Sequence, residues 1–162
     1  MKKIQVAIMM GSQSDLPTME EASKILKEFG VEYEMRVLSA HRTPRECTQY
    51  AEELKSRGVK IVIAGAGGSA ALAGVVAAHT TLPVIGIPIE TTALNGMDSL
   101  LSTVQMPPGV PVASMGIGKP GGKNAGLLAL RILSLSDKKI EEQLEQYRKT
   151  QADKILNTKL EN

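Results

Sequence analysis

The sequence predicts an α/β fold, a three-layer αβα sandwich around a mainly parallel sheet. Three observations predict it. Short apolar runs alternate with stretches of helical spacing along the whole chain. Several of the apolar runs are near-continuous, as expected of strands buried on both faces. The segments between them carry Gly, Ser, Asp and Pro where a strand must turn into a helix.

The elements follow in order. Residues 4–10 form a near-continuous apolar run that reads as a strand. Residues 17–29 place Met19, Ala22, Ile25, Leu26 and Phe29 at helical spacing, closed by Gly30. Residues 32–38 alternate as a second strand. Thr43-Pro44-Arg45-Glu46 reads as a capping box opening a helix that stops at Gly58. Residues 60–64 are a third strand, 65–68 a glycine-rich turn and 70–78 a small-residue helix. Residues 83–88 and 110–116 are the fourth and fifth strands, with a short helix over Met97–Val104 between them. A helix over 123–135 follows. A last helix starts at Ser136, with Ile140, Leu144, Tyr147, Ile155 and Leu156 on a thin apolar stripe. It is longer than a domain of this size needs. It either packs on its own domain or reaches onto a neighbouring subunit. The whole of 1–162 is expected to be one domain, a core over 1–135 and an extended C-terminal helix over 136–162.

Composition narrows the function. The length suits one domain, and 43% hydrophobic with 22% charged residues excludes a disordered chain. Phe29, Tyr33, Tyr50 and Tyr147 are the aromatic residues, so stacking platforms for single-stranded nucleic acid are missing. A net charge of +2 with interspersed signs gives no footprint for DNA. The single Cys47 excludes an intramolecular disulfide and a cysteine-based zinc site, and it suits a reducing cytoplasm. Lys2 and Lys3 lead into an apolar run that ends at Gly11, which reads as a strand and not as a signal peptide. No apolar run reaches the about 18 residues of a membrane span.

Two segments hold the chemistry: Gly11-Ser12-Gln13-Ser14-Asp15 and Ser39-Ala40-His41-Arg42-Thr43-Pro44. Each follows a strand and precedes a helix. In an open parallel sheet such turns sit side by side outside the carboxyl ends of the strands, where these folds bind ligands. His41 lies in a solvent-reachable turn, and a histidine gives and takes protons near neutral pH. Arg42 offers planar donors for a phosphate or carboxylate; alternatively it makes a surface ion pair. Ser12, Ser14 and Asp15 either hold a ligand, with Asp15 suited to sugar hydroxyls, or simply cap the helix. His79 ends an alanine-rich helix, where it complements the helix terminus.

Other patterns are weaker. Gly65-Ala66-Gly67-Gly68-Ser69-Ala70 matches a dinucleotide fingerprint but follows the third strand, with no acidic residue ending the next one. Gly67-Gly68-Ser69-Ala70-Ala71 misses the nucleophile elbow at its last position. Gly118 to Lys123 is no Walker A loop, because Asn124 follows. No histidine or carboxylate cluster has metal spacing. The residues alone therefore point to an oligomeric α/β enzyme that binds a small phosphorylated sugar derivative, with His41 as its acid/base.

The chain closely resembles the N5-carboxyaminoimidazole ribonucleotide mutase family of purine biosynthesis. The two polar turns carry the resemblance, together with Ala64-Gly65-Ala66-Gly67-Gly68, Leu82-Pro83-Val84-Ile85-Gly86-Ile87-Pro88, Asp98-Ser99-Leu100-Leu101-Ser102, Val104-Gln105-Met106-Pro107 and Gly109-Val110-Pro111-Val112. It implies a flavodoxin-like sheet, a homo-octamer in which the C-terminal helix contacts a neighbour, and no metal or organic cofactor. It implies a carboxylate moved from the exocyclic nitrogen to ring carbon C4 through trapped carbon dioxide, with His41 as catalytic acid/base. Gly11, Ser12, Ser14, Asp15, Ser39, Ala40, Arg42, Gly67, Gly68, Ser69, Ala70 and Leu72 are the substrate-binding residues that it implies. Asp15 is expected on the ribose, and Ser39 and Arg42 on the phosphate. The partner is thus a ribonucleotide, with no nucleic acid and no membrane.

One position departs from the family. It commonly reads Gly-Gly-Ala-Ala-His-Leu-Pro-Gly after the third strand, whereas this chain has Gly67-Gly68-Ser69-Ala70-Ala71-Leu72-Ala73-Gly74. Ala71 stands where a second histidine is usual. A related branch carboxylates aminoimidazole ribonucleotide directly, with Lys at the Arg42 position and a more polar loop. Arg42 and the glycine loop favour the mutase branch. The alternatives are that direct carboxylase or a catalytically impaired nucleotide-binding homologue.

Overall fold

The strands β1 (Val6–Met10), β2 (Tyr33–Val37), β3 (Ile61–Gly67), β4 (Val84–Ile89) and β5 (Ala113–Ser114) form one sheet in the order β2-β1-β3-β4-β5. Every neighbouring pair is parallel. The helices are α1 (Leu16–Glu28), α2 (Pro44–Glu53), α3 (Leu72–His79), α4 (Met97–Val104), α5 (Gly118–Ser134) and α6 (Lys138–Leu156). This computed structural model describes residues 3–159. The strand order is the flavodoxin-like one, which reverses direction between β1 and β3.

The chain divides into two compact units, Met1–Ala129 and Leu130–Asn162, with the division inside α5. In the first unit, β1 is buried from end to end. It can be, because helices cover both faces and each backbone group pairs within the ladder. On one face Ala7, Met9, Val62 and Ala64 pack with Cys47, Tyr50 and Leu54 of the α2 region and with Leu72 and Val76 of α3. On the other, Gly65 leaves room for Met19 of α1, whose sulfur a Cβ there would strike. Gly122 and Gly126 lay the start of α5 on α1: a Cβ at Gly126 would stand 2.9 Å from the Ala22 carbonyl oxygen. Fully burying each large aliphatic chain contributes about 1.5–3 kcal/mol, so this aromatic-poor core relies on many of them. In the second unit, Asp137 caps α6 by accepting from the Lys139 and Ile140 N–H groups at 3.1 and 3.3 Å. Ile140 and Leu144 are buried, while Ile155 and Leu156 are exposed.

Several boundaries differ from expectation. The run Gly65–Gly67 is not a turn; it continues β3 in register with Ile87, Pro88 and Ile89. Strand β5 shrinks to two residues; within the expected 110–116, Pro111 offers no N–H to a ladder. Helix α5 starts at Gly118, before the expected Lys123. The packing of Gly122 and Gly126 on α1 outweighs the poor helix propensity of glycine. The capping box expected at Thr43 is not formed: Thr43 makes no side-chain cap bond, because its hydroxyl is engaged with Ser39. The capping box that does form joins Ser12 and Asp15.

Candidate active site

Immediately beyond β1 a single 3₁₀ turn, Gln13–Asp15, precedes α1. Ser12 Oγ accepts from the Ser14 N–H at 3.3 Å and from the Ser14 hydroxyl at 3.0 Å. Asp15 Oδ2 accepts from the Ser12 N–H at 3.0 Å. Asp15 is only 7% exposed. Burial pushes its carboxyl above the usual range, against the opposing pull of the Ser12 N–H, the Ser14 hydroxyl, the Gly11 N–H and the Arg42 guanidinium. The capping role expected of these residues is thus formed. The turn is tied internally, and its carboxylate is short of water.

Beyond β2 the chain closes on itself through Ser39 and Thr43. The Ser39 N–H donates to Thr43 Oγ1 at 2.9 Å, and that hydroxyl donates back to the Ser39 carbonyl at 3.1 Å. The Arg42 N–H donates to Ser39 Oγ at 3.1 Å. His41 is left exposed in this tight turn. Arg42 reaches across to the first turn, donating from Nη2 to the Gly11 carbonyl at 3.0 Å. The guanidinium thus bridges two segments distant in sequence, and its remaining donors are available to an anion.

These turns, with the ends of β3 and β4, enclose a cavity of about 560 Å³. Gly11, Ser12, Ser14 and Asp15 form one wall, and Ser39, Ala40, His41 and Arg42 a second. Ala66, Gly67, Ser69, Ala71 and Leu72 form a third, and Ile89, Glu90 and Thr91 a fourth. The cavity opens outside the carboxyl ends of the strands, where the reversal of strand order separates the loops. Its volume lies in the range of small-molecule sites.

Of the residues expected at the site, Gly68 and Ala70 are not among those lining the cavity. The Gly68 N–H is committed to Ser99 Oγ at 2.9 Å, and Ala70 is 2% exposed. Ala66, Ile89, Glu90 and Thr91 were not expected. The rule that ligands gather outside strand ends applies to β4 as it does to β1, and would have named Glu90 and Thr91. His79 lies elsewhere, with Nδ1 3.0 Å from Glu52 Oε1. Cys47 is buried, which pushes its thiol up. Among the described residues, no group of three or more His, Cys, Asp or Glu is placed to hold a metal ion, and no helix is long and apolar enough to cross a membrane.

The cavity therefore gathers an accessible imidazole, a guanidinium and a dehydrated carboxylate around backbone-rich walls. That set suits a phosphorylated, hydroxylated ligand and a proton transfer. Comparison with known proteins agrees in fold and in kind. N5-carboxyaminoimidazole ribonucleotide mutase of Pyrococcus abyssi is 59% identical over 144 residues, covering 89% of this chain and 82% of the relative. The enzyme of that name from Saccharolobus solfataricus is 53% identical over 157 residues, covering 97% and 98%. The one from Bacillus subtilis is 55% identical, covering 94% of each chain. The crystal structure of Treponema denticola PurE superposes with a TM-score of 0.86 at 36% identity, covering 94% of each chain. Residues 5–154 match the family model described as AIR carboxylase, and this chain belongs to that family.

Proposed function

We propose that this chain is an isomerase of purine biosynthesis that converts N5-carboxyaminoimidazole ribonucleotide to 4-carboxy-5-aminoimidazole ribonucleotide. The observation that carries the reading is the convergence of His41, Arg42 and Asp15 on one cavity, in a chain 53–59% identical to relatives of that name. Arg42 and Ser39 hold the phosphate, and Asp15 accepts from the ribose hydroxyls. His41 donates a proton to the exocyclic nitrogen as its bond to the carboxylate breaks and carbon dioxide departs. Carbon C4 then attacks that carbon dioxide. His41 takes the C4 proton, which restores the aromatic ring. One proton is given and one returned, so the imidazole ends as it began and no cofactor is consumed. Enclosure keeps the carbon dioxide beside C4 at a high effective concentration.

The exposed apolar side chains Met97, Leu101 and Val104 fall at i, i+4 and i+7 on α4. A second copy of this chain covers that stripe, as part of the homo-octamer that the family resemblance implies. The buried Cys47 thiol suits a reducing cytoplasm.

The test is direct. Fresh N5-carboxyaminoimidazole ribonucleotide is supplied to the purified protein and to a His41→Asn variant, beside a reaction with aminoimidazole ribonucleotide and bicarbonate. Rapid conversion of the first substrate, lost in the variant, is expected. Turnover of aminoimidazole ribonucleotide and bicarbonate alone would move the chain to direct carboxylation. Binding without turnover of either would mark an inactive pocket.

A further inference from the structure

The block Asp98-Ser99-Leu100-Leu101-Ser102 has no part in the chemistry above. We propose that Ser99 is a positioning residue, which fixes Gly68, directly behind the Gly67 wall of the cavity, against the end of β4. This rests on the mutase reading.

Ser99 is fully buried near the start of α4. Its hydroxyl donates to the Ile89 carbonyl at 2.6 Å and accepts from the Gly68 N–H at 2.9 Å. One hydroxyl, through its proton and one lone pair, thus joins the residue that follows Gly67 to Ile89 of the fourth wall. Besides Ser99, Gly68 is held by the Ala70 N–H, which donates to its carbonyl at 2.8 Å within the turn. Its φ is +68°, and a Cβ built there would meet nothing within 4 Å. Its carbonyl meets Ser102 Oγ at 3.4 Å, on the same helix. Asp98 Oδ1 accepts from the Thr91 hydroxyl at 2.7 Å and the Ser99 N–H at 2.9 Å. The first turns of α4 therefore hold both loops.

The consequence falls on the trapped carbon dioxide. Gly67 lines the cavity and has no side chain, so that stretch of wall is backbone, held by its pairing with Ile89 on one side and by Gly68 on the other. When it loosens, carbon dioxide leaves before C4 captures it. The nitrogen keeps its new proton, and the products are aminoimidazole ribonucleotide and free carbon dioxide. The net change is N–CO₂⁻ plus H⁺ giving N–H plus CO₂, with no oxidant or reductant.

The experiment measures, per substrate consumed, the ratio of decarboxylated to C4-carboxylated product. For Ser99→Ala a rise of about tenfold is expected, the scale set by misplacing a wall by a fraction of an ångström. Thr103→Val is the control. Thr103 is 3% exposed on the same helix, and its hydroxyl donates to the Ser99 carbonyl at 2.7 Å, within α4. It should lower the melting temperature and leave the ratio unchanged. Ser102→Ala, at an exposed position, should raise the ratio less than Ser99→Ala and carries the test if Ser99→Ala does not fold. An unchanged ratio in the folded Ser99→Ala protein overturns the proposal. So does a flat ratio in Ser102→Ala where Ser99→Ala does not fold, or an equal rise in Thr103→Val. Conversion by the native chain separates the two readings. Without it the mutase reading fails and takes this one with it; with conversion but an unchanged ratio, only this one fails.

Discussion

The turn after β1 and the turn after β3 line the same cavity and differ in what their side chains do. The first is tied within itself by Ser12, Ser14 and Asp15 through side-chain bonds spanning at most three residues, with Arg42 bracing its Gly11 carbonyl from outside. Apart from Ser69, the second has glycine and alanine, with no side-chain bond of its own to tie it. Its Gly68 amide is fixed by Ser99, 31 residues away. A self-tied turn presents ready-placed side chains. A turn held from a distance presents a wall. On this view the chemistry belongs to the polar turns, and the glycine wall contributes shape.

The largest expected effect tests that division. His41→Asn keeps a polar group of similar size and removes proton transfer at neutral pH. Turnover should fall on the order of 10²–10⁴-fold, with substrate binding kept within a few-fold. Steady-state kinetics beside a binding titration check it. A variant that keeps most of its turnover would move the proton transfer to another group, and Asp15 and Glu90 are the carboxyl side chains lining the cavity.

Next comes the wall. Gly68 holds φ +68°, a backbone region that costs a side chain about 1–2 kcal/mol. Gly68→Ala should lower stability by that amount in denaturant titration. Its Cβ meets open space, so no clash adds to the loss. A neutral substitution would mean that the turn adjusts freely, and the wall would not be held as argued.

The same contrast explains what could be read without coordinates. The strand–helix alternation gave the sheet, because its signals are local periodicities. The polar turns were legible because their chemistry sits in consecutive residues. The end of β3 was not. Glycine there reads as a turn by propensity, yet pairing with β4 and room for Met19 keep it in the strand. The misplaced capping box has a similar cause: Thr43 has the right spacing to Glu46, but its hydroxyl serves Ser39, four residues back. The fourth wall went unnamed because Glu90 and Thr91 lie in no motif. Only the stacking of strand ends brings them to the cavity.

A smaller effect sharpens the first turn. Burial raises the Asp15 pKa above 3.8, so the folded chain binds more protons than the unfolded one across that window. Stability contributed by Asp15 therefore falls as pH rises from 3.8 through the raised value. Asp15→Asn cannot ionise and escapes that loss. Its melting temperature should match the native one near about pH 4 and exceed it near about pH 8, while substrate binding weakens. The reverse pattern would mean that the local hydrogen bonds and Arg42 outweigh dehydration, making the carboxylate a stabilising cap.

The smallest effect is expected at Ala71, where the family resemblance implies a second histidine. Ala71 lines the cavity just before α3, and its N–H donates to the Ser69 carbonyl at 2.7 Å. A histidine put there adds a titratable group to a wall that otherwise offers none. If His41 both gives and takes the proton, a second imidazole completes no missing step. Turnover of Ala71→His should then stay within about twofold of the native value. A rise in KM with kcat unchanged would show the ring merely occupying ligand space. A tenfold gain in kcat would show that the native chain lacks a group its chemistry can use, and the assignment of all proton traffic to His41 would fail. The position decides between a wall that is passive by construction and one that has lost a working side chain.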